Sequence, residues 1–125
     1  MAEITGVLLD AYNDMTVVMT VEAELQSYYT MLDCSCIDIV SRKIGGKWFD
    51  IVCDDEGLLV DDPKISAINN LGRPMLVGNL FIVKHKGDDI GSLTEKDIEH
   101  VMKHIQVMYT KNHPEGYMML TQVDY

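Results

Sequence analysis

Three sets of residues have types and spacings suited to chemistry. The first is the acidic stretch "DDEGLLVDD", which sets Asp54, Asp55, Glu56, Asp61 and Asp62 around Gly57. A calcium loop of the helix-loop-helix type needs acids at alternating positions, a central glycine and a closing glutamate. Here three acids are consecutive and no helical pattern flanks them. Neighbouring residues of an extended chain point to opposite faces, so they cannot all aim at one ion. Asp54 and Glu56 alone could share a face, but a catalytic pair would also need a cleft that perturbs its pKa values. Asp and Gly favour turn geometry, so the stretch reads as a solvated turn at a hairpin end.

The second set is sulfur. Cys34, Ser35 and Cys36 do not have the Cys-x-x-Cys spacing of zinc knuckles or redox pairs. Cys34 and Cys36 would share a strand face, with Cys53 on the adjacent strand and His85 able to join them only through tertiary folding. Three cysteines in a reducing compartment read as small buried hydrophobes. The third set is His100 and His104, four apart on an expected helix. The zinc-protease pattern needs Glu after the first histidine, and Val101 stands there. On a helical wheel His100 faces away from the apolar stripe, near Lys96, Glu99 and Lys103, which predicts a solvated face. Nucleophile elbows, phosphate loops and dinucleotide fingerprints are missing from the sequence. Neither a metal nor a cofactor is expected.

Charge narrows the partners. The formal net charge is −10; residues 1–41 hold seven acids and neither Lys nor Arg, and residues 42–125 hold thirteen acids and ten Lys or Arg. Such a field repels phosphate, which argues against direct binding of nucleic acid or an anionic membrane and favours a basic protein partner, or simply solubility. No apolar run approaches the ~18 residues of a membrane span. The opening "MAEITGVLLDAY" has no basic flank and does not read as a signal peptide, so a cytoplasmic protein is expected.

The elements that must position these residues follow from periodicity. "ITGVLLDAY" and "TVVMTV" read as two strands joined through Asn13-Asp14. Val21, Leu25, Tyr28, Tyr29 and Leu32 recur at helical spacing, giving a helix over 21–32 with Thr20 as N-cap. In "IDIVSRKIGGKWFDIVC", Gly45-Gly46 supplies a two-residue hairpin turn. It sets Ile44 opposite Lys47, Val40 opposite Ile51 and Asp38 opposite Cys53. Val40, Phe49 and Ile51 fall on one face and Ile37, Ile39, Trp48 and Val52 on the other, so the hairpin is expected to be interior. "SAINN" suggests a short helical turn, and "MLVGNLFIV" one central strand with a bulge at Gly78. A second helix is expected over 94–111, on the stripe Ile98, Val101, Met102, Ile105, Met108 and Tyr109, with Thr94 and Asp97, or Ser92 and Glu95, as a capping box. "YMMLTQV" reads as a closing strand in which one of Met118 and Met119 faces outward. The sum is a single α+β domain spanning 1–125, a mostly antiparallel sheet of five to six strands with two main helices.

The ordered series "IDIVSRKIGGKWFDIVCDDEGLL", "LVGNLFIV" and "SLTEKDI" resembles a family of small proteins, described as a domain of unknown function, carried by phages, plasmids and conjugative elements. The likeness runs from about Val21 to Ile105. Its most specific part is the Gly-Gly hairpin followed by the acidic turn, a recurring signature of the family. The resemblance implies a mobile-element context and supplies no catalytic residue.

Three functions are therefore weighed. The first is a non-enzymatic interaction module, an inhibitor of a host or defence protein, using Glu22, Glu24, Asp33, Asp38, Asp54, Asp55, Glu56, Asp61 and Asp62 against a basic partner. The second is a nucleotide-like small-molecule binder using Arg42, Lys43, Lys47, Trp48 and Arg73, which offer guanidinium forks and an aromatic platform. The third is an enzyme, for which the acids of the turn are the sole support and which is not expected; a structural accessory protein is a further alternative. The oligomeric state stays open.

Overall fold

A computed structural model describes residues 2–59 and 63–125. Among them the chain forms eleven strands and two α-helices, an α+β fold. In chain order the elements are β1 (Glu3–Asp10), β2 (Met15–Glu22), α1 (Leu25–Leu32), β3 (Ile37–Ile44), β4 (Lys47–Asp54), β5 (Ile65–Ile68), β6 (Pro74–Val77), β7 (Leu80–Lys86), β8 (Asp89–Gly91), α2 (Glu95–Met102), β9 (Ile105–Met108), β10 (Tyr117–Leu120) and β11 (Val123–Asp124). A seven-stranded sheet runs β11-β3-β4-β7-β1-β2, with β8 paired to β7; a four-stranded sheet runs β6-β5-β10-β9. The large sheet is antiparallel, and in the small one β10 and β5 run parallel. The large sheet alone exceeds the five to six strands expected.

The Gly-Gly hairpin forms as its composition dictates. Gly45 and Gly46 take φ of +56° and +83°, which side chains resist, and Ile44–Lys47, Val40–Ile51 and Asp38–Cys53 are register partners. One face of the hairpin lies in the main core, where Phe49, Ile51 and Cys53 meet Val7, Leu9, Ile82 and Val101, with Leu120 from the small sheet. Fully buried Phe49 and Ile51 each contribute about 2–3 kcal/mol of transfer free energy. The other face is covered only toward Val52 and Ile37, by Tyr28 and Leu32 of α1. Trp48 and Ile39 stay exposed at 52% and 44%, so the hairpin is not interior on both sides.

Several expected boundaries move. Val21 and Glu22 end β2 instead of opening a helix over 21–32: the β1–β2 ladder runs through Glu3–Glu22, and α1 starts after Glu24, without a side-chain cap. The helix over 94–111 ends at Met102, and Met102 is exposed. Both the amide and the hydroxyl of Thr121 donate to the His104 carbonyl, and Ile105–Met108 then pairs residue for residue with β10. Ile105 and Val107 fit a period of two as well as a helical stripe, and the ladder decides. The helical turn expected at Ser66–Asn70 is replaced by strand: Ser66, Ala67 and Ile68 belong to β5.

The apolar run Met75–Val83 is two strands in different sheets, broken where Gly78 takes φ +77°. Beside the break, the buried Asn79 side chain accepts from the Ala11 amide at 2.9 Å and donates to the Leu32 carbonyl at 3.4 Å. It thus ties the end of β1 to the end of α1. The closing run splits likewise at Gln122, φ +56°, into β10 and β11. Met119 is buried, and Met118 is half-buried with its sulfur accepting from Thr16 Oγ1.

Candidate functional site

The acids divide between two places. Asp33, Asp38, Asp54, Asp55 and Glu56 gather around the three thiols. Asp33 ends α1 in the left-handed region, φ +53°, a conformation Asp tolerates. Asp38 faces Cys53 across the β3–β4 ladder, and the Asp55 amide donates to the Cys36 carbonyl at 3.1 Å. Asp54 Oδ1 accepts from the Glu56 amide at 2.9 Å, which makes "DDE" a turn closed by its own side chain. A groove of about 540 Å³ separates this turn from Met75, Leu76 and Val77 of β6. Glu22 and Glu24 lie apart, at the junction of β2 and α1. Asp61 and Asp62 lie outside the described residues.

The thiols are free, Cys53 buried and Cys36 exposed. Burial, then the Asp38 carboxylate, pushes the Cys53 thiol up to about 11, with Arg42 opposing. Burial and Asp54 raise Cys34, and the hydrogen bond and charge of Glu56 raise Cys36. Thiolate is the nucleophile and the metal ligand, so burial at Cys34 and Cys53 and the Glu56 carboxylate at Cys36 work against both roles. Among the described residues no three His, Cys, Asp or Glu side chains are grouped to hold a metal ion.

The five basic and aromatic residues do not form one site. Lys47 donates to Asp97 at 2.6 Å, the Arg42 guanidinium lies 4.8 Å over the Tyr125 ring, and Arg73 is exposed before β6. Lys43 and Trp48 remain together on the open outer face, 5.2 Å apart. Beside them is a constellation the sequence reading missed. Asp50, buried, accepts from Ser41 Oγ at 2.7 Å and meets His85 Nδ1 at 3.0 Å, at a pocket of about 330 Å³ shared with Trp48. The hairpin arithmetic that pairs Val40 with Ile51 already pairs Ser41 with Asp50; His85 arrives only through the β4–β7 pairing. Asp50 stands between serine and imidazole. A serine nucleophile needs the imidazole itself as proton acceptor, so this order orients His85 without activating Ser41.

Two further clusters hold α2. Asp97, 1% exposed, accepts from Lys47, Lys84 and the Thr94 amide, and Thr94 caps the helix reciprocally. Burial alone would raise the Asp97 carboxyl; the hydrogen bonds from Lys47, Thr94 and Lys84 outweigh it and hold the group well below the usual range. His100 and His104 do not form a solvated face. The His100 ring stacks on Phe49 at 5.8 Å, its Nε2 lies 2.6 Å from the Ile44 carbonyl oxygen, and the two rings are 4.7 Å apart. They seat α2 on the hairpin turn at Gly45.

These features define an α+β protein with a half-covered sheet and an acidic thiol-lined end. The chain belongs to the family described as Domain of unknown function (DUF3846), whose model matches residues 4–106. No curated protein and no solved structure matches it.

Proposed function

We propose that the chain is a non-enzymatic, acidic protein-interaction module of a mobile genetic element, acting in the cytoplasm on a basic host or defence protein. The mobile-element setting rests on the resemblance of the hairpin and acidic turn. One structural observation carries the binding reading. Among the described residues, Glu22, Glu24, Asp33, Asp38, Asp54, Asp55 and Glu56 enter no ion pair with a Lys or Arg, while Asp97 holds Lys47 and Lys84, and Arg42, Lys43 and Lys64 lie over the rings of Tyr125, Trp48 and Tyr117. The surface carboxylates are left to an external cation, which speeds encounter with a basic partner and makes affinity salt-dependent.

The test is affinity capture from host lysate at about 50 and 500 mM NaCl, where the Debye length shrinks roughly threefold. The wild type is compared with a variant carrying Glu22→Gln, Glu24→Gln, Asp33→Asn, Asp38→Asn, Asp54→Asn, Asp55→Asn and Glu56→Gln. A basic protein held at low salt and lost in both the variant and high salt is the expected result. Recovery of no such protein, with host defence intact in its presence, overturns the reading.

A second reading is favoured by the pocket at Trp48: a small aromatic anion stacking on the indole, with Lys43 and His85 beside it. A ligand present at a hundred times its Kd would stabilise the fold by ~2.7 kcal/mol. A nucleotide panel that leaves the melting transition unmoved removes this reading.

A further inference from the structure

The sheet edges are not alike. Natural edge strands are blunted by shortness, Pro, Lys or bulges. β11 has two residues, β8 three and β9 four, and β6 has four and begins with Pro74. The edge strand β2 has eight, "MTVVMTVE", without Pro, Gly or Lys, and pairs with β1 over its whole length without a register shift.

Which of its backbone groups are open can be read from the hydrogen bonds around it. The Thr5 amide donates to Ser92 Oγ and the Thr5 carbonyl accepts from Leu93, so the odd residues of β1 point away from β2. The Ala23 amide donates to the Ala2 carbonyl, which continues the same alternation. Antiparallel pairs alternate between bonded and non-bonded positions. Met15, Val17, Met19 and Val21 therefore bond to β1, while Thr16, Val18, Thr20 and Glu22 present their amides and carbonyls to the open edge. Of these only the Glu22 carbonyl has another backbone partner among the described residues, the Glu24 amide.

The surroundings say what would cover this edge. A groove of about 370 Å³ runs beside it, lined by Met19, Val21 and Met31 with Glu22 and Glu24 at its rim. Glu3 and Glu22 are direct cross-strand partners, both exposed, a like-charge pairing that destabilises a ladder unless a cation joins it. A second copy of this chain pairing antiparallel about Val18, near the centre of the strand, would set Glu22 of each copy against Asp14 of the other.

We infer that β2 is a docking edge that accepts an extended segment of the basic partner as an additional strand. Main-chain hydrogen bonds form to Thr16, Val18 and Thr20, an apolar side chain of the segment rests in the Met19–Met31 groove, and a Lys or Arg at its end meets Glu3 and Glu22. This inference rests on the protein-binding reading above and adds its place and mode.

The probe is a ten-residue peptide of alternating Val and Thr flanked by paired lysines, with a glutamate-flanked counterpart and deca-lysine as controls, each titrated into the full chain. The lysine-flanked peptide is expected to bind, to slow hydrogen exchange at the Thr16, Val18 and Thr20 amides, and to outcompete both controls. Val18→Pro removes an outward amide without touching the β1 ladder and should weaken binding at least about tenfold, the loss of one ladder bond. Val18→Ala should bind as the wild type does. Circular dichroism checks that the proline variant folds, and the exchange measurement needs no variant. Binding of deca-lysine equal to that of the strand peptide, with the three amides unprotected, overturns the docking edge and leaves the acidic-module reading standing. Absence of binding by every lysine-bearing peptide overturns both.

Discussion

Asp97 decides how two lysines are used. Its carboxylate is buried while the side chains of Lys47 and Lys84 are 44% and 39% exposed. Removal of the charge would let both ammonium groups return to water. Asp97→Asn keeps an acceptor for the Thr94 amide and loses the charge-assisted bonds, for an expected cost of about 2 kcal/mol. Urea titration at pH 7 measures it, and an unchanged midpoint would refute the role. The pH dependence has a definite sign. The native carboxyl holds its proton more weakly than the unfolded one, so its stabilisation is complete above the unfolded value of ~3.9 and is lost as pH falls toward the depressed native value. The wild type should therefore lose more stability than Asp97→Asn between pH 5 and 2.

At the scale of elements, the hairpin turn and α2 act as a unit. A Cβ on Gly45 would run into the His104 ring and lie 3.2 Å from His100 Nε2, whereas one on Gly46 would meet nothing within 4 Å. Both residues have positive φ, so alanine strains either by about 1 kcal/mol. Only Gly45→Ala must also push aside the His104 ring and crowd His100, and its total cost should reach about 2–4 kcal/mol. Equal melting temperatures for the two alanine variants would contradict this packing. The same hairpin marks what the sequence made legible. Register, turn and capping box are local, set by residues at fixed short offsets, and all three form as expected. The strand Ile105–Met108 was not legible because its apolar residues satisfy two periods at once and its partner begins nine residues later. The break at Gly78 was hidden because a continuous apolar run fits one buried strand or two. The histidines were misplaced for a related reason: a wheel drawn on α2 alone cannot show the hairpin that lies against its charged side. The Ser41–Asp50–His85 set needed the β4–β7 pairing, and only its first half was within reach of the turn.

At the scale of the molecule, the uneven charge has a thermodynamic consequence independent of any partner. Residues 1–41 carry seven acids and no Lys or Arg. Glu3, Asp10 and Glu22 lie on β1 and β2, Asp14 in the turn between them, Glu24 and Asp33 at the two ends of α1 and Asp38 on β3, with Glu3 set against Glu22. Compaction brings these charges together, so the native state carries a self-repulsion that the expanded chain relieves. Salt shortens the reach of that repulsion to ~8 Å at physiological ionic strength and ~3 Å at 1 M. The opposing contribution, the Asp97 pairs with Lys47 and Lys84, involves a carboxylate removed from water and is screened less. The melting temperature should accordingly rise as NaCl goes from about 10 to 300 mM at pH 7. The rise should shrink in a Glu3→Gln, Glu22→Gln, Glu24→Gln variant, which begins from a higher value at low salt. A melting temperature that falls with NaCl, or a triple variant no more stable than the wild type at about 10 mM, would mean that the repulsion is not where the fold places it. The acidic edge would then be neutralised from within the chain, and a basic partner would have nothing left to complement.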